Sequence, residues 1–116
     1  MVSHLVLFRL RKDLTAPERE GLVTALRAAI QTIPTVRGFR IGRRLRIGAG
    51  YESAAPDLNL GGVIEFEDEA GLRVYLEHPA HEEIGARFNA SVEQALVYDY
   101  EMAGLDGIGV LEGPQA

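Results

Sequence analysis

Cysteine is absent from all 116 residues. That excludes disulfides and thiolate metal sites, and it leaves the redox compartment unreadable from this residue type. Long apolar runs are missing as well. The start, MVSHLVLFRLRKD, is too short in its apolar part for a membrane span. Its charges follow that part, the reverse of a secretory signal. The expectation is a cytoplasmic protein with no membrane partner. There is no excess of positive charge either, and a net charge of -5 argues against nucleic acid as a general partner. No phosphate-cradling loop is present, since Gly48-Ala49-Gly50 lacks the Walker and dinucleotide spacings, and no nucleophile elbow occurs. The remaining composition is that of one ordinary globular domain, large enough for a core without staples.

One stretch departs from the acidic balance. Arg37, Arg40, Arg43, Arg44 and Arg46 fall close together, without the interleaved aromatics that a single-strand nucleic-acid platform needs. They read first as an exposed strand face with charges at a dimer edge, and second as an anion or carboxylate site, which Arg geometry suits.

The chain alternates strand and helix signals. Residues 3–10 read as a strand with His4, Val6, Phe8 and Leu10 on one face and Leu5, Leu7 and Arg9 on the other. Both faces are mostly apolar, so both call for cover. Thr15 and Glu18 form a capping box with Pro17 in the first turn, opening a helix over 16–32 that Pro34 stops. Residues 36–47 alternate as a second strand, with a bend expected at Gly42, and a loop rich in Gly and small residues follows. Residues 58–66 form the third strand, where Gly61 and Gly62 suggest a bulge or a close approach by another group. Asp68 can cap a short helix through Leu76. Pro79 opens another helical piece to about Gln94, and residues 96–102 form the last strand. The order βαββαβ defines an α+β, ferredoxin-like sandwich over residues 1–102, followed by a Gly-rich tail over 103–116. Helices cover only one face of a four-stranded sheet. A second copy of the sheet is the simplest cover for the other, which predicts a homodimer joined through the sheets.

The chain has only three histidines, and two of them flank Pro79 in the stretch Tyr75-Leu-Glu-His-Pro-Ala-His81. Pro disfavours helix in the residue before it and suits the first helical position, so His78 is expected to cap a helix and His81 to sit in its first turn. The partial positive charge there favours a neutral imidazole able to act as a base. His81 precedes Ile84, Gly85 and Phe88 by three, four and seven residues and shares their face. It is therefore either a core histidine satisfied by backbone groups or a general base. Tyr75 is either an amphipathic core residue or a hydrogen-bond donor to a developing enolate oxygen. An unbroken helix would splay Tyr75 and His81 by about 120°, so they converge only if the chain bends at Pro79. The His78-x-x-His81 pair lacks a third ligand at a recognisable spacing, and no metal is expected.

SHLVLFRLRKDLTAPE, IPTVRGFRIGR, IEFED, YLEHPAH and VYDYE, in this order over residues 2–102, resemble the stress-responsive dimeric α/β-barrel family, the Dabb domain. The resemblance implies two sheets closing into a dimeric barrel with the helices outside. Its enzymes include polyketide cyclases of the olivetolic acid cyclase kind, which close rings by aldol-type proton transfer without a cofactor. By that likeness Tyr75 and His81 would be catalytic. By the same likeness His4 matches a pocket histidine, and a further pocket histidine of the cyclase falls near Leu60; the expected substrate-binding set is His4, His78, Leu60 and Phe88. Two classes of function remain: a cofactor-independent cyclase or lyase acting on a keto or aromatic ligand, and a non-catalytic dimeric stress or small-ligand-binding protein. A solvent-reachable cavity beside His4, Tyr75 and His81 would favour the first, and a filled core there the second.

Overall fold

The computed structural model describes residues 1–113. Its elements run β1 (Val2–Leu10), α1 (Ala16–Thr32), β2 (Val36–Arg43), β3 (Leu60–Phe66), α2 (Glu69–Glu77), α3 (Pro79–Ser91) and β4 (Val92–Glu101). Two short 3-10 turns, Gly50–Ser53 and Leu105–Leu111, lie in the long loop and the tail. The strands form one sheet in the order β2-β3-β1-β4, every neighbouring pair antiparallel. This is the ferredoxin-like α+β fold. Of the expected tail, residues 114–116 lie outside the described residues.

Local chemistry sets the helix starts. The Thr15 hydroxyl accepts from the Glu18 N–H at 3.2 Å, and the Glu18 carboxylate accepts from the Thr15 N–H at 3.0 Å. That reciprocal pair satisfies two donors that α1 would otherwise leave unmade. Asp68 caps α2 by accepting from the Gly71 N–H at 2.9 Å. His78 closes α2 and opens α3 in an extended conformation, φ -73° and ψ 141°.

Helices α1, α2 and α3 lie on one face of the sheet. Their apolar sides bury Ala25, Ala29, Ile33, Leu72 and Ile84 against Val2, Ile64 and the fully buried Phe66. Strand register places three rows of side chains beneath them: Asp99–His4–Ile64–Phe39, Val97–Val6–Gly62–Ile41 and Ala95–Phe8–Leu60–Arg43. The opposite face carries Tyr98–Leu5–Val63–Arg40 and Leu96–Leu7–Gly61–Gly42, with no element of this chain over it.

Three expectations shift. The bulge expected at Gly61 and Gly62 is absent, since the β1–β3 register runs unbroken from Val2↔Phe66 to Phe8↔Leu60. The irregularities fall instead at Arg9/Leu10 and at Val36/Gly38. Gly61 lies beside Leu7, where a Cβ would meet a Leu7 methyl at 3.4 Å, an ordinary contact, and Gly62 floors the cavity described below. Strand β2 ends at Arg43 rather than at 47, because Arg44 and Arg46 turn to Asp57 of the following loop. Finally, α3 stops at Ser91, and β4 begins at Val92 rather than 96, held there by Arg9 reaching Glu93 at 3.0 Å and Gln94 at 3.4 Å.

Candidate active site

Between the helices and the sheet lies a cavity of about 470 Å³. Its floor is the three-row array from His4 to Leu60, and its walls come from α1 (Leu22, Leu26), α2 (Tyr75, Leu76) and α3 (His81, Ile84, Phe88). The polar groups gather at one end. Ring centroids of Tyr75 and His81 are 4.8 Å apart, and those of His4 and Tyr75 are 5.8 Å apart, both edge-on. The other end is apolar, where Phe8 and Phe88 meet edge-on at 5.2 Å. His81 and Phe88 are seven residues apart on α3, so the cavity extends about 10 Å along that helix.

The bend at Pro79 makes this cluster. With His78 extended between the two helices, Tyr75 at the end of α2 and His81 at the start of α3 turn to the same cavity. Tyr75 is only 3 % exposed. Burial pushes its hydroxyl pKa up to about 12, so it stays a donor at neutral pH. Among the described residues that hydroxyl makes no hydrogen bond. The His81 pKa is lowered, first by burial and then by the nearby His4, with the Leu76 backbone acting the other way. Burial and His4 thus keep the ring neutral at pH 7.

His4 is buried, and its Nδ1 stands 2.5 Å from Asp99 Oδ1. A carboxylate only accepts, so the His4 Nδ1 carries a proton toward Asp99. Asp99 is the site residue that sequence reasoning missed. Its signal was parity: in VYDYE, Asp99 shares the inward face with Val97, while Tyr98 and Tyr100 point the other way.

Leu60 and Phe88 line the cavity as the sequence suggested. His78 does not. Its Nδ1 accepts from the Ala80 N–H at 3.0 Å, which commits the ring to capping α3. Among the described residues no group of three His, Cys, Asp or Glu could hold a metal ion. Four of the five clustered arginines answer carboxylates of this same chain: Arg37 lies near Glu67, Arg40 near Glu65, and Arg44 and Arg46 share Asp57.

An antiparallel four-stranded sheet under helices on one face, with a Tyr-His cluster between the layers, places the chain among small ferredoxin-like α+β proteins that keep a cavity inside a single protomer. More narrowly, it belongs to the family of the stress responsive A/B barrel domain, whose sequence profile matches residues 2–102. No curated protein matches the chain in sequence at a significant level. Solved structures with this fold include a protein of Arabidopsis thaliana at 22 % identity, covering 90 % of this chain and 98 % of that one with a TM-score of 0.74. A dimeric ferredoxin-like protein of unknown function from Thermobifida fusca is 24 % identical, covering 87 % and 90 % with a TM-score of 0.67. A hydroxynitrile lyase from Passiflora edulis is 18 % identical, covering 89 % and 94 % with a TM-score of 0.75. These likenesses concern the fold. Among the described residues no helix is long and apolar enough to cross a membrane.

Proposed function

We propose that this protein is a cofactor-independent enzyme that moves protons on a keto substrate, with Tyr75 and His81 as its catalytic pair. The observation that carries the reading is the Tyr75 hydroxyl. The Tyr75 side chain is buried as a whole, while its hydroxyl, unpaired within the described residues, reaches the open cavity. A free donor that opens into the cavity beside a neutral imidazole suits a substrate oxygen.

In this reading His81 takes a proton from the carbon next to a carbonyl. The electron pair moves onto the carbonyl oxygen, where the Tyr75 hydroxyl donates to the developing enolate. The enolate carbon then attacks a second carbonyl carbon, forming a C–C bond. The resulting alkoxide recovers the proton from the His81 imidazolium, so nothing is oxidised or reduced. His4, held by Asp99, lines the polar end of the cavity and orients the substrate. The apolar end of the cavity suits an alkyl or aryl substituent. The open cavity speaks against a purely structural role, and the free Tyr75 hydroxyl beside a neutral His81 favours catalysis over binding alone. The hydroxynitrile lyase on the same fold is an enzyme of another substrate class.

We also propose that the working unit is a homodimer joined through the uncovered sheet face, where Leu7, Tyr98 and Tyr100 are exposed. The dimeric Thermobifida fusca neighbour agrees with this. Light scattering on the eluting protein tests it, and a single species of 12.7 kDa would sink the dimer.

Catalysis is tested by exchange of the α-protons of a methyl alkyl ketone in heavy water, followed by NMR. The parent is expected to accelerate exchange, and His81→Ala to lose about 10² to 10⁴ of that rate. No acceleration by the parent would leave the binding role in its place.

A further inference from the structure

We propose that the C-terminal turn, Leu105–Leu111, docks into a groove on the open sheet face of a second copy of this chain, so that each protomer straps the other. The inference rests on the homodimer above and adds to it a segment outside the family match, which ends at residue 102.

The tail has the form of a docking element. A 3-10 turn repeats every three residues, so side chains three apart eclipse. Leu105, Ile108 and Leu111 therefore make one apolar row, and they are 82 %, 54 % and 82 % exposed. Asp106 and Glu112 fall on the adjoining row, and neither makes an ion pair among the described residues. An apolar stripe with an acidic border does not pack on its own domain here. The radius of gyration is 15.9 Å, against about 13 Å for a compact chain of this length, so the molecule has projecting parts.

The receiving surface is a groove of about 400 Å³ on the face without helices. The cross-sheet row Leu96–Leu7–Gly61–Gly42 forms its floor, with the two glycines leaving a trough beside the leucines. Arg43 closes the helix-side row but, as the last residue of β2, also borders the end of the groove, and among the described residues its side chain makes neither an ion pair nor a hydrogen bond. An unpaired cation at the groove thus matches unpaired carboxylates beside the apolar row.

The groove is out of line with the tail of its own chain. The Met102 N–H bonds to the Met1 carbonyl, which fixes the tail's origin at the Val2 end of the sheet. Leu7 lies five residues further along β1, about 17 Å away. A two-fold axis between the sheets and across the strands brings the Val2 end of one copy over the Leu7 end of the other.

The absence of native cysteine makes the test clean. The double variant Ile108→Cys with Ala55→Cys, the latter at the groove, is oxidised and run without reductant beside light scattering of the parent. A disulfide-linked dimer is the expected result. A disulfide within single chains overturns the inference. A dimeric parent with no cross-link overturns it too and leaves the dimer standing, whereas a monomeric parent removes both. As a second measurement, Arg43→Glu should raise the dimer dissociation constant at least about tenfold, and adding Asp106→Lys should recover it. An unchanged constant for Arg43→Glu would overturn the pairing.

Discussion

His4 and Asp99 lie 95 residues apart in sequence, yet they are direct cross-strand partners with Nδ1 and Oδ1 2.5 Å apart. Register alone makes the pair. β1 and β4 run antiparallel from Val2↔Glu101 to Arg9↔Gln94, and both side chains point to the cavity side of the sheet. The carboxylate fixes the His4 tautomer, and the open side of Asp99 leaves the pair in touch with solvent.

Asp99→Asn tests that relationship. The amide can offer either a donor or an acceptor, so the His4 tautomer is no longer fixed. The expected outcome is a loss of turnover smaller than that for His81→Ala, with a shifted pH profile and little change in melting temperature. A purely structural role would lower the melting temperature and leave the pH profile unmoved.

The Tyr75–His81 pair is tested by comparing two variants. Tyr75→Phe keeps the ring contacts with Phe66 at 5.2 Å and His81 at 4.8 Å and removes only a hydroxyl that lacks a partner among the described residues. It should leave stability near that of the parent while slowing ketone exchange. His81→Ala should abolish exchange with the fold intact. A large fall in melting temperature for His81→Ala, with Tyr75→Phe silent in both assays, would falsify the catalytic assignment.

Much of this was legible because the causes are local. Thr15 and Glu18 announce the start of α1 within one turn, and the His78–Pro79 step announces the break that lets Tyr75 and His81 meet. The apolar alternation on β1 exposed the need to cover two faces. Other features depend on partners far away in sequence. Asp99 could be assigned only once β4 was registered against β1. The end of β2 depended on Arg44 and Arg46 finding Asp57. The cavity depends on how far α1 and α3 stand off the sheet, and periodicity carries no measure of that. His78 reads in the sequence both as a helix cap and as a pocket residue, and the backbone N–H of Ala80 two residues on commits it to the cap.

The arginines separate into two kinds. Arg40 is largely exposed and 3.8 Å from Glu65, a pair worth little. Arg44 is mostly covered and reaches the Glu52 carbonyl at 2.9 Å, the Pro56 carbonyl at 3.3 Å and Asp57 at 3.3 Å. Glu52 in turn accepts from the Ile47 and Ala49 N–H groups at 2.9 and 2.7 Å. Arg44 thus pins the loop between β2 and β3. Arg40→Gln should leave the melting temperature within about a degree of the parent, and Arg44→Gln should lower it by several times that. Equal effects in a thermal melt would show that the loop is held by something else.

The pH dependence of stability follows from His81. Burial and the neighbouring His4 hold its folded pKa below the ordinary value of 6.5. As pH falls through that value, the unfolded chain takes up the proton before the folded one does. The unfolded state then binds more protons, so stability rises with pH in this window. The contribution is fully present above the unfolded value and is lost as pH falls through the folded one. Tyr75, which faces His81, stays protonated throughout, and His4 faces the site with Asp99 on its far side. Melting temperatures measured between about pH 8 and about pH 5 should therefore decline toward the acid end. His81→Ala should flatten part of that decline, modestly because the ring is only partly buried. The same low pKa keeps the base unprotonated, so the acid limb of the exchange rate should fall below pH 6.5. Parallel melting curves for parent and variant, with an acid limb at or above that value, would mean that His81 titrates as a solvent-exposed histidine and not as the buried base of the site.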